Sequence, residues 1–159
     1  MLDPVNGGGE LLDLAVYPMH FAWLFLGRPD NQQVVGTLSP TGSDATAALQ
    51  WGYRSGATAQ LRCATTGLTP GRATIAGTAG SISVEPLFLN PGHLVVTTSE
   101  GESRIEGEDT AYGPQIIEVE RCVREGLLQS PLVPQADTIA ILELIDQARA
   151  DLGVRYPGE

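Results

Sequence analysis

Apolar residues change their spacing twice along this chain, marking a helical beginning, a β middle and a helical end. Over residues 8–26, Leu11, Leu12, Leu14, Val16, Met19, Trp23 and Leu26 leave few polar positions, which predicts a helix with most of its faces covered. Pro18 lacks a backbone donor and predicts a kink or a split in that helix. Gly27, followed by "RPD", predicts its stop.

From about 34 to 106 the period falls to two. In "DATAALQWGYRSGATAQLRCA" (44–64), Ala47, Leu49, Trp51 and Tyr53 alternate with Thr46, Gln50 and Gly52. Past a turn at "RSG", Ala59, Leu61 and Cys63 alternate with Thr58, Gln60 and Arg62, which predicts a hairpin with one buried and one polar face. "RATIAGTAGSISV" (72–84) reads as a second hairpin turning at "GTAG". "HLVVTTS" (93–99) with "SRIEG" (103–107) reads as a third, and "QVVGTLS" (33–39) as one further strand.

From 110 the period returns to 3.6. "YGPQIIEVERCVREGL" places Ile116, Val119, Cys122 and Val123 on one side, with Glu118, Arg121 and Arg124 on the other. The last helix carries an apolar stripe of Ile141, Leu142, Leu144, Ile145, Ala148 and Leu152, with Asp137 as its expected cap and Gly153 as its end. The prediction is an α+β fold: an open-faced, mostly antiparallel sheet of about six strands with helices packed on one face. Too few helices remain to cover the other face, so the sequence predicts it to be either solvated or a partner surface.

Composition narrows the function classes. The 159 residues carry 19 acidic against 9 basic side chains, a net charge of −10, which repels phosphate backbones and argues against nucleic acid. All the basic residues are arginine, so the chain can fix an anion but offers no lysine to shuttle a proton. Cys63 and Cys122 have no CxxC spacing and read as reduced, buried residues of a soluble, cytoplasmic protein. No segment reads as a signal peptide, and "FAWLFL" is far too short to span a bilayer. GxGxxG, GxxxxGK[ST], HExxH and GxSxG are all absent, and His20 and His93 stand apart, which leaves no expected metal site.

What remains is "GGGELLDLAVYP" (7–18). On a continuous helix Asp13 and Tyr17, at i and i+4, share a face, and His20 follows three residues later. The pair reads two ways: as catalytic equipment, or as an acid bracing nearby backbone beside a core aromatic whose hydroxyl lies at the edge. The glycines read first as a turn into the helix and second as room for a ligand.

"DPVNGGGELLDLAVYPMHFAWLFLGRP" resembles the segment that opens the C-terminal domain of the Gfo/Idh/MocA oxidoreductases. The resemblance is to the branch holding dihydrodiol dehydrogenase and glucose–fructose oxidoreductase. Its GGGxxxDxGxH or GGGxxxDxGxY pattern stands here as Gly7, Gly8, Gly9, Asp13 and Tyr17, with Ala15 where glycine is usual. "RATIAGTAGSISV" resembles a hairpin of that family and "SPLVPQADTIAILELIDQAR" its closing helix, so the likeness spans essentially the whole chain.

The resemblance implies the C-terminal substrate-binding and dimerisation domain, residues 1–159, of a longer two-domain chain. The Rossmann domain that binds NAD or NADP, with the lysine of its Glu-Lys-Pro motif, would lie outside this sequence. Tyr17 would then be the general acid/base at the substrate hydroxyl or carbonyl oxygen, and Asp13 would orient that oxygen or Tyr17 itself. Arg72 and Tyr112 are weaker substrate-binding candidates, each opening an element after a loop. The substrate class implied is a sugar, polyol or cyclic diol, the reaction an NAD(P)-dependent dehydrogenation. The chain by itself is expected to be inactive, with no cofactor of its own. The family's oligomers also imply a homodimer through the face bearing Thr46, Gln50, Thr58, Gln60 and Arg62. The competing expectation is a non-catalytic binding or scaffold module with the same fold.

Overall fold

The computed structural model describes residues 2–67, 71–107 and 111–158. The fold is α+β, and the chain divides into two compact units, residues 1–68 with 132–159 and residues 69–131. Among the described residues the three hairpins and the further strand form seven strands in two antiparallel sheets, rather than one open sheet of about six.

In the first unit a single 3-10 turn, Pro4–Asn6, leads through the glycines into α1 (Glu10–Asp13) and α2 (Val16–Leu26). The sheet follows as β1 (Asn31–Leu38), β2 (Asp44–Gly52) and β3 (Thr58–Ala64), in the order β1-β2-β3, and α4 (Gln135–Leu152) closes the unit. The two-residue period fixes which face each side chain takes. Val34, Leu49 and Leu61 lie in one cross-strand row, with Gly36, Ala47 and Cys63 in the next. Their neighbours along each strand point the other way, so Gln33, Gln50 and Gln60 form a row on the opposite face.

The helices cover the first of these faces. Leu11, Ala15 and Met19 meet Ala47, Leu49, Trp51, Leu61 and Cys63, with Ile141, Ile145 and Ala148 from α4 completing the core. The buried stripe of α4 runs i, i+4, i+7 from Ile141, so Leu142 lies outside it and is exposed. Its start also differs from expectation. Pro134, in extended conformation, occupies the N-cap, and Asp137 sits in the first turn, where its charge favours the helix dipole. Gly153 ends the helix in the left-handed conformation.

The second unit holds β4 (Ala73–Gly77), β5 (Gly80–Val84), β6 (His93–Thr98) and β7 (Gly101–Glu106) in sequence order, and then α3 (Gly113–Arg124). Ile75, Ile82 and Val96 share one row and Ala73, Val84, Leu94 and Ile105 the next, both on one face. In α3, Cys122 is buried, while Ile116, Val119 and Val123, expected to face the same way, are exposed. Cys122 instead sits beside Glu118, to which Arg121 and Ser130 donate.

Candidate functional site

The glycine run begins where Asp3 caps the 3-10 turn, accepting the Val5 N–H at 3.0 Å, and Gly7 ends that turn with φ +71°. Gly9 is more constrained. Its φ is +151°, and a Cβ there would stand 2.5 Å from Asp44 Oδ1 and 3.0 Å from the Tyr156 hydroxyl. Only glycine permits that backbone and that approach.

The helix the sequence predicts over 8–26 is split, and the split lies before Pro18. Leu14 and Ala15 both donate to the Glu10 carbonyl, at 2.8 and 2.9 Å, which closes α1 with a wide turn. α2 then starts afresh at Val16, so Pro18 falls in its first turn, where a missing N–H breaks no intrahelical bond. Asp13 therefore ends one helix and Tyr17 begins another, and the i, i+4 spacing no longer sets their relation.

Both side chains face solvent. Asp13 is exposed and Tyr17 is 44% exposed, on the side of α2 opposite the fully buried Ala15 and Met19. No hydrogen bond of the Asp13 carboxylate or the Tyr17 hydroxyl is found among the described residues. The phenol is thus presented rather than packed into the core. His20, half-buried, places Nδ1 2.9 Å from the Val16 carbonyl, and this contact holds its ring.

The buried acids of this region are two others. Asp44, at the first position of β2, is fully buried and accepts the Leu11 N–H through Oδ2 at 2.6 Å. Glu10 is likewise buried, and burial pushes its carboxyl above the usual range, with Asp44 and Asp13 adding and a hydrogen bond to Thr65 opposing. Asp44 Oδ1 and Glu10 Oε2 find no hydrogen-bond partner among the described residues. Tyr156 donates to the Gly8 carbonyl at 3.1 Å, and the Arg149 guanidinium lies 4.2 Å over its ring. The sequence carries no signal for this, because an aspartate opening a strand looks the same whether it is solvated or caps a helix 33 residues earlier.

Arg72 and Tyr112 belong to the second unit. Arg72 is exposed and pairs with Glu85 at 3.4 Å, which occupies its charge within that unit. Tyr112 is the N-cap of α3 and 75% exposed. Cys63 and Cys122 are free and buried. Burial, with Glu10 and Asp44 nearby, pushes the Cys63 thiol up to about 12, so at neutral pH it is a protonated core residue.

Among the described residues no group of three or more His, Cys, Asp or Glu side chains is disposed to hold a metal, and no helix is long and apolar enough to cross a membrane. Nor does the glycine run fit a dinucleotide pyrophosphate. The helix behind it is four residues long, and its Leu11 amide is already taken by a buried carboxylate.

The profile of the GFO/IDH/MocA C-terminal domain matches residues 1–83. The trans-1,2-dihydrobenzene-1,2-diol dehydrogenase of Mus musculus is 31% identical over 162 residues, covering 96% of this chain and 48% of its own length. Among solved structures, a UDP-N-acetylglucosamine 3-dehydrogenase from Acidithiobacillus ferrooxidans aligns with a TM-score of 0.78 at 17% identity, covering 92% of this chain and 48% of that one. The aldose–aldose oxidoreductase of Caulobacter crescentus aligns with a TM-score of 0.76 at 20% identity, covering 91% of this chain and 45% of its own. The structural likenesses show the fold, and the chain spans about half the length of the curated relatives it matches. It belongs to the GFO/IDH/MocA C-terminal domain family.

Proposed function

We propose that the chain is the substrate-binding and dimerisation half of an NAD(P)-dependent oxidoreductase acting on a CH–OH group of a sugar, polyol or cyclic diol. The observation that carries this reading is the exposure of the Tyr17 phenol in the first turn of α2, on the side opposite the fully buried Ala15 and Met19. Residues two apart on a helix take opposite sides, so the anchoring of Ala15 and Met19 in the core turns Tyr17 outward, with its phenol open to a bound substrate. The names of the relatives support the substrate class: a cyclic diol dehydrogenase and sugar oxidoreductases.

In this reading Tyr17 Oη exchanges a proton with the substrate oxygen as that oxygen passes between hydroxyl and carbonyl. Asp13, ending the helix before it, accepts a hydrogen bond from a neighbouring substrate hydroxyl and so fixes which carbon is presented. The nicotinamide belongs to a companion dinucleotide-binding domain, since this chain's own glycine run does not fit it. With no lysine in the chain, any ammonium that favours the phenolate of Tyr17 comes from that domain too. The polar face carrying Thr46, Gln50, Thr58, Gln60 and Arg62 pairs with a second copy.

The test is an assay of NAD(P)H formation with polyols, aldoses and cyclic diols. The chain alone is expected to be inactive, and a polypeptide joining it to its dinucleotide-binding half active. Turnover by the chain alone would overturn this division of labour.

A further inference from the structure

We propose that Asp44 is a positioning residue for Tyr17, acting from the sheet through the backbone of the glycine run; the proposal rests on the reading of Tyr17 given above. Asp44 is rooted at the start of the central strand β2, next to the fully buried Ser43. Its carboxylate accepts the Leu11 N–H at 2.6 Å, an N-cap supplied by a residue distant in sequence where Gly9 has no side chain to offer. Gly9 lets that carboxylate approach, as the 2.5 Å separation from a would-be Cβ shows. Tyr156 holds the preceding carbonyl, that of Gly8, from the C-terminal side.

The consequence passes along the chain. The cap fixes the first turn of α1, and α1 ends where Leu14 and Ala15 both reach back to the Glu10 carbonyl. That pair of hydrogen bonds to one carbonyl sets where α2 restarts, and Tyr17 is the second residue of α2. Leu11, Ala15 and Met19 anchor the same segment in the core, so its remaining freedom is rotation and shift of the short helix, which the Asp44 contact removes. A phenol acting on a bound oxygen tolerates little such shift, because misplacement of about 1 Å costs on the order of 100-fold in rate.

The experiment uses the polypeptide that carries both this chain and its dinucleotide-binding half. Asp44→Ala removes the acceptor. It is expected to lower kcat by about 10- to 100-fold per folded molecule, with KM changed far less and the pH at which the rate turns unaltered. Asp44→Asn keeps an oxygen for the Leu11 amide and is expected to retain most of the rate. Gly9→Ala disturbs the same contact with Asp44 in place, is expected to match Asp44→Ala, and serves if that variant does not fold.

Wild-type kcat in both Asp44→Ala and Gly9→Ala overturns the proposal, as does equal loss in Asp44→Asn and Asp44→Ala. Tyr17→Phe separates the two readings. If it is fully active, the acid/base role fails. Asp44 is then judged by the Leu11 amide, which should lose hydrogen-exchange protection, and by the Tyr17 ring resonances, which should shift, in Asp44→Ala and not in Asp44→Asn. Unchanged signals in both variants overturn the positioning role as well.

Discussion

The indole nitrogen of Trp51 donates to Gln32 Oε1 at 2.6 Å, and Gln32 Nε2 donates in turn to the Leu144 carbonyl at 2.8 Å. One polar side chain on the edge strand thereby joins the fully buried tryptophan of the central strand to α4. Gln32→Leu leaves the indole N–H buried without a partner, and is expected to lower unfolding stability by about 1–3 kcal/mol. Urea denaturation measures it; a variant as stable as wild type would show that this bridge is dispensable.

Glu10 gives the fold a pH dependence of definite sign. Its folded pKa is raised by burial, so its contribution is fully present below the ordinary carboxylate range and is lost as pH rises through the folded value. Glu10→Gln keeps the shape and removes the charge. It is expected to be more stable than wild type at pH 8, the gap closing toward pH 4. Thermal unfolding at both pH values checks this, and parallel curves would contradict it.

Glu118 works in the opposite direction. Hydrogen bonds from Arg121 and Ser130 lower its carboxyl to about 2. The stability it contributes is therefore present above the ordinary carboxylate range and lost as pH falls toward about 2. Arg121→Leu should move the Glu118 carboxyl back toward the ordinary range in a carbon-detected NMR titration. A titration unchanged by that substitution would mean that the guanidinium does not set it.

The glutamine row predicts how the open sheet face behaves. Gln33, Gln50 and Gln60 lie side by side across all three strands of the first unit. In a two-fold interface each of them meets its own counterpart or a near neighbour. Gln50→Glu with Gln60→Glu then sets like charges against each other in a chain already at −10. Light scattering should show a dimer for wild type and a lighter species for the double variant. A wild-type chain that stays monomeric at high concentration would rule out this interface.

Much of this architecture could be read from residue spacing. The face taken by Ala47, Leu49, Trp51, Leu61 and Cys63 follows from strict alternation, and the stops at Gly27 and Gly153 from residues that can adopt positive φ. Long-range events were not legible. Pro18 announces a break in the first helix, but its position, where Leu14 and Ala15 share the Glu10 carbonyl, does not follow from residue spacing. The burial of Asp44 depends on a backbone amide 33 residues away and the absence of a Cβ at Gly9. Helical spacing pairs Asp13 with Tyr17; the structure keeps both at the surface but sets them on separate helices.

Whether the phenol of Tyr17 moves the substrate proton is decided by Tyr17→Phe. In the polypeptide that joins this chain to its dinucleotide-binding half, kcat is expected to fall by about 100- to 10,000-fold, with KM little changed and the fold intact by circular dichroism. A Tyr17→Phe enzyme with wild-type kcat would contradict that role.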